Sequence, residues 1–515
     1  MTRRRLPIGI QTFRKIREDS HYYVDKTPFI RALLAEGQVY FLSRPRRFGK
    51  SLFLDTLKEL FEGGEALFDG LDIHPHWDWS VRYPVVRLSF GYGNFKDPDY
   101  LHAHLLDQLD RVEVRAGIPP RHETAHGRLA WLLETLRQRT GQRAVVLVDE
   151  YDKPILDALE VPEVAKANRD SLRGLYSIIK DCDEHIRFAF ITGVSKFSKV
   201  SLFSGLNNLT DITLEPEFSA ICGYTEADLD HVFAPELDGL DRDRIREWYN
   251  GYRWRGAEKV YNPFDVLLLF RTREFKAHWY ETGSPTFLVD MLFERRVSSV
   301  SLQDMTATDR DLSKFDVGDI STKALLFQTG YLTIQDEDET RTGTRYRLGY
   351  PNREVQQSLN GTLLDRLVQD DERRMENHDR LERLLAVGDA EGLKDLFHSF
   401  FASIPYQWYT NNDIADYEGY YASVFYSYFA GLGFDIRVED SMSRGRLDMT
   451  VRFAGRIWLF EFKVVELAPE GAAMAQLKRK GYADKYRGFG EPIHLVGIEF
   501  SKTERNIVAF ESEPA

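Results

Sequence analysis

Short runs of consecutive apolar residues alternate with helical patterns through the N-terminal part of the chain. The runs are Val39–Ser43, Pro84–Phe90, Ala144–Val148 and Arg187–Thr192. Near-continuous apolar runs of this length are typical of strands that are buried on both faces. From about Leu6 to Leu214 the alternation therefore predicts an α/β domain, a parallel sheet covered by helices.

The middle of the chain has a different pattern. Residues 223–352 are mainly helical, and two alternating runs, Tyr331–Gln335 and Arg345–Leu348, lie near the end. The polar segment Asp336–Gly343 separates these runs and predicts the turn of a hairpin. A short helix followed by a hairpin is typical of a winged-helix module. Such a module acts as a lid or binds DNA, and the sequence leaves both open.

The C-terminal third predicts a second α/β domain. Gly445–Phe453 alternates polar and apolar residues, Ala454–Arg456 supplies a turn, and Ile457–Val465 has the pattern of a buried strand. An amphipathic helix is predicted to open at Asp416–Phe425, before these strands. A basic helical stretch follows them.

Two carboxylates and a lysine in these paired strands predict a metal-dependent phosphodiesterase. Pairing of the strands brings Asp448 and Glu461 together as metal ligands, because Mg²⁺ binds through a few carboxylate oxygens and a substrate phosphate. Mn²⁺ is an alternative ion for this site. Lys463 lies two residues beyond Glu461 and shares its strand face, where an ammonium steadies the attacking water or the phosphorane charge. We predict Asp448, Glu461 and Lys463 to be catalytic.

The neighbouring helices add further candidate residues to this site. Glu418 supplies another acidic group from the upstream helix. The downstream helix supplies nucleic-acid contacts at Gln476, Lys480 and Tyr482. An isolated Glu-x-Lys on an edge strand is more often a surface ion pair. The apolar residues around Glu461 favour the functional interpretation, because a buried carboxylate is costly without a metal or a partner.

A second chemical signal lies between Arg44 and Ser51, where a strand, a loop, Gly-Lys-Ser and a helix follow one another. This is the context of a phosphate-binding P-loop. Backbone amides and the helix N-terminus hold the β-phosphate, Lys50 reaches the β and γ oxygens, and Ser51 binds Mg²⁺. Arg44 stands where the motif has its first glycine, and Pro45 restricts Arg44 to extended geometry. The predicted nucleotide-binding residues are Arg46, Arg47, Phe48, Gly49, Lys50, Ser51, Leu52 and Asp149.

The apolar run Ala144–Val148 is followed by two acids, Asp149 and Glu150. In a P-loop ATPase the first acid lies beside the Mg²⁺ and the second orients the attacking water. We therefore predict Asp149 as a metal-binding residue and Glu150 as catalytic. The alternative is a buried parallel strand whose C-terminal acids are merely exposed.

The C-terminal constellation resembles the PD-(D/E)xK nuclease superfamily, with Glu418, Asp448, Glu461 and Lys463 at its motif positions and Gln476 and Tyr482 at accessory positions. The N-terminal part resembles the AAA-ATPase-like family of prokaryotic proteins, which is related to the STAND and archaeal ATPases. Its arginine-rich loop at Arg44 to Arg47 is usual there. The segments that carry this resemblance are Leu6–Gln11, Tyr23–Thr27, Phe41–Ser51, Asp149–Pro154, Tyr249–Tyr252 and Tyr261–Phe264.

The resemblance implies three domains and two cofactors, ATP and Mg²⁺. The expected domains are a P-loop NTPase with a parallel sheet at residues 6–222, a helical and winged-helix-like lid region at 223–369 and a PD-(D/E)xK nuclease-like domain at 370–515. Members of the family commonly carry such a C-terminal nuclease domain.

Composition limits the partners. The net charge of −13 excludes indiscriminate coating of DNA, so any nucleic acid has to meet a local basic surface. The two cysteines, Cys182 and Cys222, make a disulfide framework implausible. No apolar run is long enough to span a bilayer, so we expect a cytoplasmic protein without a membrane partner.

These observations predict a nucleotide-regulated, Mg²⁺-dependent DNA nuclease coupled to an ATP-binding module. RNA as substrate and a homo-oligomeric state stay open. The alternative is a STAND-like switch or sensor whose nuclease fold binds nucleic acid or protein with little or no cleavage.

Overall fold

The computed structural model describes residues 3–197, 202–203, 206–280, 286–295, 297, 299–341, 343–367, 371–402, 418–442, 445–504 and 506–515. Within these ranges, side chains are not described for residues 286–287, 367, 371–377, 418–420, 439–442 and 445–446. The chain divides into two compact units. Unit 1 comprises Met1–Thr282 and Met305–Asn352, and unit 2 comprises Gly283–Asp304 and Arg353–Ala515. The predicted division into three domains is finer than this and stays a prediction.

The N-terminal sheet of unit 1 consists of five parallel strands: β1 (Val39–Ser43), β2 (Val85–Ser89), β3 (Ala144–Asp149), β4 (Ile186–Gly193) and β5 (Thr210–Asp211). They lie in the order β2-β3-β4-β1-β5. Strand β4 thus separates the strand before the predicted P-loop from the strand that ends in Asp149. The parallel pairing confirms the predicted α/β sheet.

Helices surround this sheet because β1 and β3 are buried at every position and need cover on both faces. They are α1 (Phe13–Glu18), α2 (Thr27–Glu36), α3 (Lys50–Phe61), α4 (Pro98–Ala116), α5 (Ala125–Thr140), α6 (Lys153–Leu156) and α7 (Pro162–Asp181).

A mainly helical region follows the sheet. Its helices are α8 (Glu226–Val232), α9 (Ala234–Leu237), α10 (Arg242–Tyr249), α11 (Pro263–Thr272), α12 (Thr286–Glu294), α13 (Asp309–Ser313) and α14 (Thr322–Thr329). Its strands are β6 (Met305–Thr308), β7 (Phe315–Asp316), β8 (Asp319–Ile320), β9 (Thr333–Thr340) and β10 (Gly343–Gly349). Helix α12 belongs to unit 2 and the others belong to unit 1.

Strands β6, β10 and β9 form an antiparallel sheet in that order, beside helices α13 and α14. The β9–β10 hairpin confirms the hairpin that the pattern predicts. The winged-helix module stays a prediction, and we call the part of unit 1 that contains α13, α14 and this sheet the winged-helix region. The turn is shorter than predicted, because β9 continues to Thr340 and pairs with β10 as far as Gly343. Two of its acidic residues pair with arginines: Arg347 lies 3.2 Å from Asp336, and Arg255 lies 3.0 Å from Glu337.

Unit 2 contains the helices α15 (Arg353–Leu367), α16 (Asp371–Val387), α17 (Ala390–Ala402), α18 (Glu418–Gly431) and α19 (Ala472–Lys480). Its strands are β11 (Asp435–Met442), β12 (Gly445–Phe453), β13 (Arg456–Val465), β14 (Ile493–Ser501) and β15 (Ile507–Pro514). They form one sheet in sequence order, in which β13 and β14 are parallel and the other pairs are antiparallel.

Two opposite faces of this sheet are covered by different helices. Phe460 and Phe462 face α18, where the ring of Phe425 lies 4.9 Å from that of Phe462. The alternate positions Ile457 and Leu459 pack into a core with the buried residues of α19. By the same alternation, Glu461 and Lys463 lie on the face of α19. Among the helices described here, none is both long and apolar enough to cross a membrane.

Candidate functional site

The predicted catalytic carboxylates meet where strands β12 and β13 part. The last pair of the ladder is Met449 with Phe460, so the next step in this register sets Asp448 opposite Glu461. There the carboxylate of Asp448 accepts a hydrogen bond from the backbone N–H of Phe462, at 2.7 Å. The side chain of Asp448 therefore accepts a backbone hydrogen bond from the neighbouring strand, just beyond the last pair of the ladder.

Glu461 lies at the centre of the site and has no exposed surface. The ammonium of Lys463 lies 3.2 Å from Oε1 of Glu461 and donates to the carbonyl oxygen of Phe462 at 2.8 Å. The side-chain amide of Gln476, on α19, donates to the same Oε1 atom. A buried carboxylate needs such partners, because the burial of an unpaired ion costs several kcal/mol.

Tyr482 closes the site from the turn that follows α19. Burial raises the pKa of Tyr482, and the charges of Glu461 and Asp448 raise it further, whereas the hydrogen bond with Gln476 and the charge of Lys463 lower it. The structure thus brings together five of the predicted residues, namely Asp448, Glu461, Lys463, Gln476 and Tyr482. Of the other two, Lys480 lies half-exposed in the last turn of α19. Glu418 begins α18, and its side chain lies outside the described residues.

Helix α19 is held over the sheet by two residues of β14 that the sequence analysis missed. The buried carboxylate of Glu499 accepts from the backbone N–H groups of Glu470 at 2.6 Å and Ala472 at 2.5 Å, at the start of the helix. A Cβ atom at Gly497 would lie only 2.6 Å from the backbone nitrogen of Met474, so glycine permits the close approach of the helix. The sequence offered one signal for this contact: Glu499 lies two residues after Gly497 in an otherwise apolar strand.

The carboxylates of Asp448 and Glu461 supply hard oxygen donors of the kind that Mg²⁺ takes. Within the described residues, no group of three or more His, Cys, Asp or Glu side chains is placed to hold a metal ion. Glu418 is the third acid predicted for this site, and its side chain is outside that search. The donor chemistry of Asp448 and Glu461 fits a divalent cation that completes its shell with water and phosphate oxygens.

The predicted P-loop leads from β1 into the N-terminus of α3. Gly49 and Arg47 both have positive φ angles, +95° and +70°. Lys50 is the first residue of α3, and its ammonium donates to the carbonyl oxygens of Arg44 and Pro45, each at 2.9 Å. The first amides of a helix have no acceptor within it, so this end of α3 presents donors suited to a phosphate.

Arg44, which replaces the first glycine of the motif, points into the protein rather than toward a phosphate. Its guanidinium is completely buried and donates to the carbonyl oxygens of Ser43 at 2.8 Å, Thr213 at 2.9 Å and Phe218 at 3.0 Å. It also lies 4.2 Å from the ring centroid of Trp254. Burial lowers the pKa of Arg44 to about 10, so the group stays charged at neutral pH. Arg44 therefore anchors the loop to more distant segments of unit 1.

The two acids at the end of β3 have different surroundings. Asp149 is buried and accepts from the hydroxyl of Thr192 on β4, at 3.1 Å. Arg87 of β2 lies 3.7 Å from the other oxygen of Asp149 and was not predicted as part of the site. Glu150 has a φ angle of +53°, a rare conformation for a residue with a side chain.

The predicted lysine and the two acids interact electrostatically. Burial lowers the pKa of Lys50, and the charges of Glu150 and Asp149 oppose this change. Burial raises the pKa of Glu150, whereas Lys50 and Arg46 lower it. Lys50 thus interacts with both acids, and Arg46 interacts with Glu150.

Other predicted residues of the loop are held by packing. Phe48 is buried edge-on against Tyr252 and Trp254, whose ring centroids are 4.7 and 5.4 Å away. The guanidinium of Arg47 lies 4.7 Å from the ring of Phe264. Arg46 is exposed, and its carbonyl oxygen accepts from the indole N–H of Trp279 at 3.2 Å. Ser51 and Leu52, in the first turn of α3, are partly buried.

Comparisons with known proteins match the two parts of the chain that contain these sites. Residues 7–203 match the family described as predicted AAA-ATPase, and residues 416–510 match the PD-(D/E)XK nuclease superfamily. Domains of these kinds generally use ATP and divalent metal ions.

One relative covers almost the full length. The "Uncharacterized protein in vnfD 5'region" of Azotobacter chroococcum mcd 1 is 60% identical over 511 residues, which make up 99% of each chain. The chain therefore belongs to one family with that Azotobacter protein, and it joins an AAA-ATPase-like module to a nuclease-like domain of the PD-(D/E)XK superfamily.

Proposed function

We propose that this protein is a nucleotide-regulated, Mg²⁺-dependent DNA nuclease. The observation that carries the proposal is the fully buried carboxylate of Glu461, which is contacted by Lys463 and Gln476 and lies opposite Asp448 in the strand register. A structural ion pair has no need of a second carboxylate at this position. A nuclease of the PD-(D/E)XK type uses both acids and the lysine.

The residues divide the chemistry of phosphodiester hydrolysis among them. Asp448 and Glu461 would hold Mg²⁺, which supplies Lewis acidity toward the scissile phosphate when it is bound. Lys463 orients the attacking water and stabilises the negative charge that develops on the phosphorane. Gln476 keeps the carboxylate of Glu461 in place, and Tyr482 shields that contact from solvent.

At the other site, Lys50, Ser51 and the first amides of α3 bind the phosphates of ATP. Asp149 would bind Mg²⁺, and Glu150 would orient a water molecule toward the γ-phosphate. Nucleotide binding and hydrolysis by these residues are part of the same proposal.

The winged-helix region acts as a lid of the nucleotide site in this proposal, rather than as a DNA reader. A DNA-reading winged helix inserts its second helix into the major groove, so that helix has to be accessible. Here residues 324–328 of α14 are buried within unit 1. The wing strand β9 also carries four consecutive acids, Asp336–Glu339, which phosphates would repel.

The nuclease proposal is tested by cleavage of supercoiled, linear, single-stranded and branched DNA during titration with Mg²⁺ or Mn²⁺. Asp448→Asn keeps the size of the side chain and removes its charge. We expect it to lower the cleavage rate about 100-fold or more, the loss expected when one electrostatic contact of the transition state is removed. Lys463→Met should have an effect of similar size.

Matched controls come from the same unit. Asp435→Asn, at the exposed start of β11, and Lys394→Met, on α17, should cleave like the wild type. If the wild type cuts none of these substrates with either ion, the nuclease proposal fails. The STAND-like switch or sensor then becomes the better interpretation.

The nucleotide proposal is tested by equilibrium binding of labelled ATP. Lys50→Ala removes a charged donor, and we expect ATP affinity to fall about tenfold or more, because a hydrogen bond to a charged group contributes about 1.5–3 kcal/mol. Lys58→Ala removes a lysine from the same helix, where it pairs with Glu59 and Glu62, and should leave affinity unchanged. Equal affinity in both variants would contradict the assignment of the P-loop.

A further inference from the structure

The loop that leaves β4 follows Thr192, the residue that contacts Asp149, and its backbone is held by side chains from other segments. Asp152 accepts from the N–H groups of Val194 at 3.0 Å and Ser195 at 2.6 Å, and from the hydroxyl of Ser195 at 2.5 Å. The hydroxyl of Tyr151 accepts from the N–H of Phe197 at 3.1 Å. The segment after β3 therefore holds three of the four consecutive N–H groups of residues 194–197.

The fourth N–H group, that of Lys196, is held by the winged-helix region. Lys196 donates to Oε1 of Gln328 at 2.8 Å, and Nε2 of Gln328 donates to the carbonyl oxygen of Leu312 at 2.8 Å. The two partners define the orientation of the amide, because only its oxygen accepts and only its nitrogen donates. Gln328 is 5% exposed. The loop after β4 is thus hydrogen-bonded to α14 through one buried side chain.

The same end of α14 also meets the P-loop. Gly330, which ends α14 with a φ angle of +90°, packs so closely on Pro45 that a Cβ atom would lie 2.8 Å from that ring. The ring of Tyr331 lies 5.3 Å from Trp279, whose indole N–H donates to the carbonyl oxygen of Arg46. One helix end therefore contacts both loops that flank the proposed phosphate site.

We propose that Gln328 is a positioning residue of the nucleotide site, through which the winged-helix region fixes the loop after β4 and detects the bound nucleotide. The inference rests on the proposed nucleotide binding at Lys50 and Asp149. A shift of the loop toward a γ-phosphate moves the N–H of Lys196, and the hydrogen bond of Gln328 carries that shift to α14. In the reverse direction, the placement of α14 sets the loop and, through Thr192, the carboxylate of Asp149.

The test compares Gln328→Met with Gln335→Met. Methionine keeps the length of the side chain and removes both hydrogen bonds. Gln335 donates to the carbonyl oxygen of Tyr350 at 2.7 Å within the same winged-helix region, and it serves as the matched control. For Gln328→Met we expect the kcat of ATP hydrolysis to fall about tenfold, because a buried N–H group loses its acceptor, while ATP affinity stays within about threefold. Gln335→Met should change neither quantity.

Amide hydrogen exchange gives a second readout that does not depend on turnover. In the wild type, MgATP should slow exchange in residues 190–197 and in residues 322–331. In Gln328→Met, protection should persist in residues 190–197 and disappear in residues 322–331. Protection of both segments in the variant would overturn the role of Gln328 and leave nucleotide binding intact. Failure of the wild type to bind MgATP would overturn the proposed function together with this inference.

Discussion

At the scale of single residues, the two acids at the end of β3 differ in what surrounds them. Asp149 is fixed by Thr192 and Arg87, whereas Glu150 adopts a positive φ angle and interacts with Lys50 and Arg46. A strained backbone at a catalytic position is a common feature of active sites. The positive φ angle of Glu150 is consistent with its predicted catalytic role.

This environment predicts the acidic limit of ATP hydrolysis. Because burial raises the pKa of Glu150, the carboxylate ionises at a higher pH than an exposed glutamate. Activity that needs the ionised form is therefore lost at a correspondingly higher pH as the solution is acidified. Arg46 lowers the pKa of Glu150, so Arg46→Gln should move the acidic limb of the kcat/KM profile to still higher pH.

Arg31→Gln, on α2, provides the control, because Arg31 pairs with Asp72. Its acidic limb should coincide with that of the wild type. A limb that moves to lower pH in Arg46→Gln would contradict the assignment of Glu150.

Residues of local motifs were predictable from the sequence, whereas their distant partners were not. Lys50, Asp149, Glu461 and Lys463 follow from strand patterns and fixed spacings. The carbonyl oxygens that Arg44 contacts lie up to 174 positions away, and Gln328 lies 132 positions from Lys196. A pattern along the sequence does not predict contacts between residues so far apart, because such contacts depend on how whole helices and strands pack.

At the scale of elements, the placement of α19 decides whether the nuclease-like site is complete. The helix carries Gln476 and precedes Tyr482, and its position depends on Glu499 and Gly497 of β14. Strands β12 and β13 could be predicted as a pair from alternation. The close approach of α19 could not, since a lone glycine in a strand has several explanations.

Gly497→Ala should separate α19 from the sheet. The added methyl group would overlap the backbone nitrogen of Met474, so we expect a loss of about 1–3 kcal/mol in the free energy of unfolding. DNA cleavage should fall as well, because Gln476 moves away from Glu461. Gly488→Ala, where a Cβ atom meets nothing within 4 Å, is the control and should retain both properties. Urea unfolding and the cleavage assay measure the two effects, and equal behaviour of the two variants would contradict this role of Gly497.

At the scale of the whole molecule, the two candidate sites belong to different compact units. The residues of the P-loop lie in unit 1 and those around Glu461 lie in unit 2. This arrangement was expected from the two widely separated motifs. If ATP binding in unit 1 regulates cleavage in unit 2, the cleavage rate has to change with ATP concentration.

One variant in each site tests whether cleavage depends on ATP binding. Asp448→Asn should lose cleavage and keep the ATP affinity of the wild type, because its charge belongs to the other unit. Lys50→Ala should keep Asp448 and Glu461 intact and lose the response of cleavage to ATP. The measurement is the cleavage rate at increasing ATP for each variant, with Lys58→Ala as control. An identical ATP response in Lys50→Ala and in the wild type would show two independent activities on one chain.

The buried guanidinium of Arg44 also changes how similarity to other P-loops is judged. A chain with glycine at this position would match the standard motif more closely, yet it would leave an empty volume beside Trp254 and three buried carbonyl oxygens without their donor. The missing glycine therefore does not by itself argue against the proposed phosphate site. In this chain the three hydrogen bonds of Arg44 fix the start of the loop, where a standard P-loop relies on the backbone conformations open to glycine.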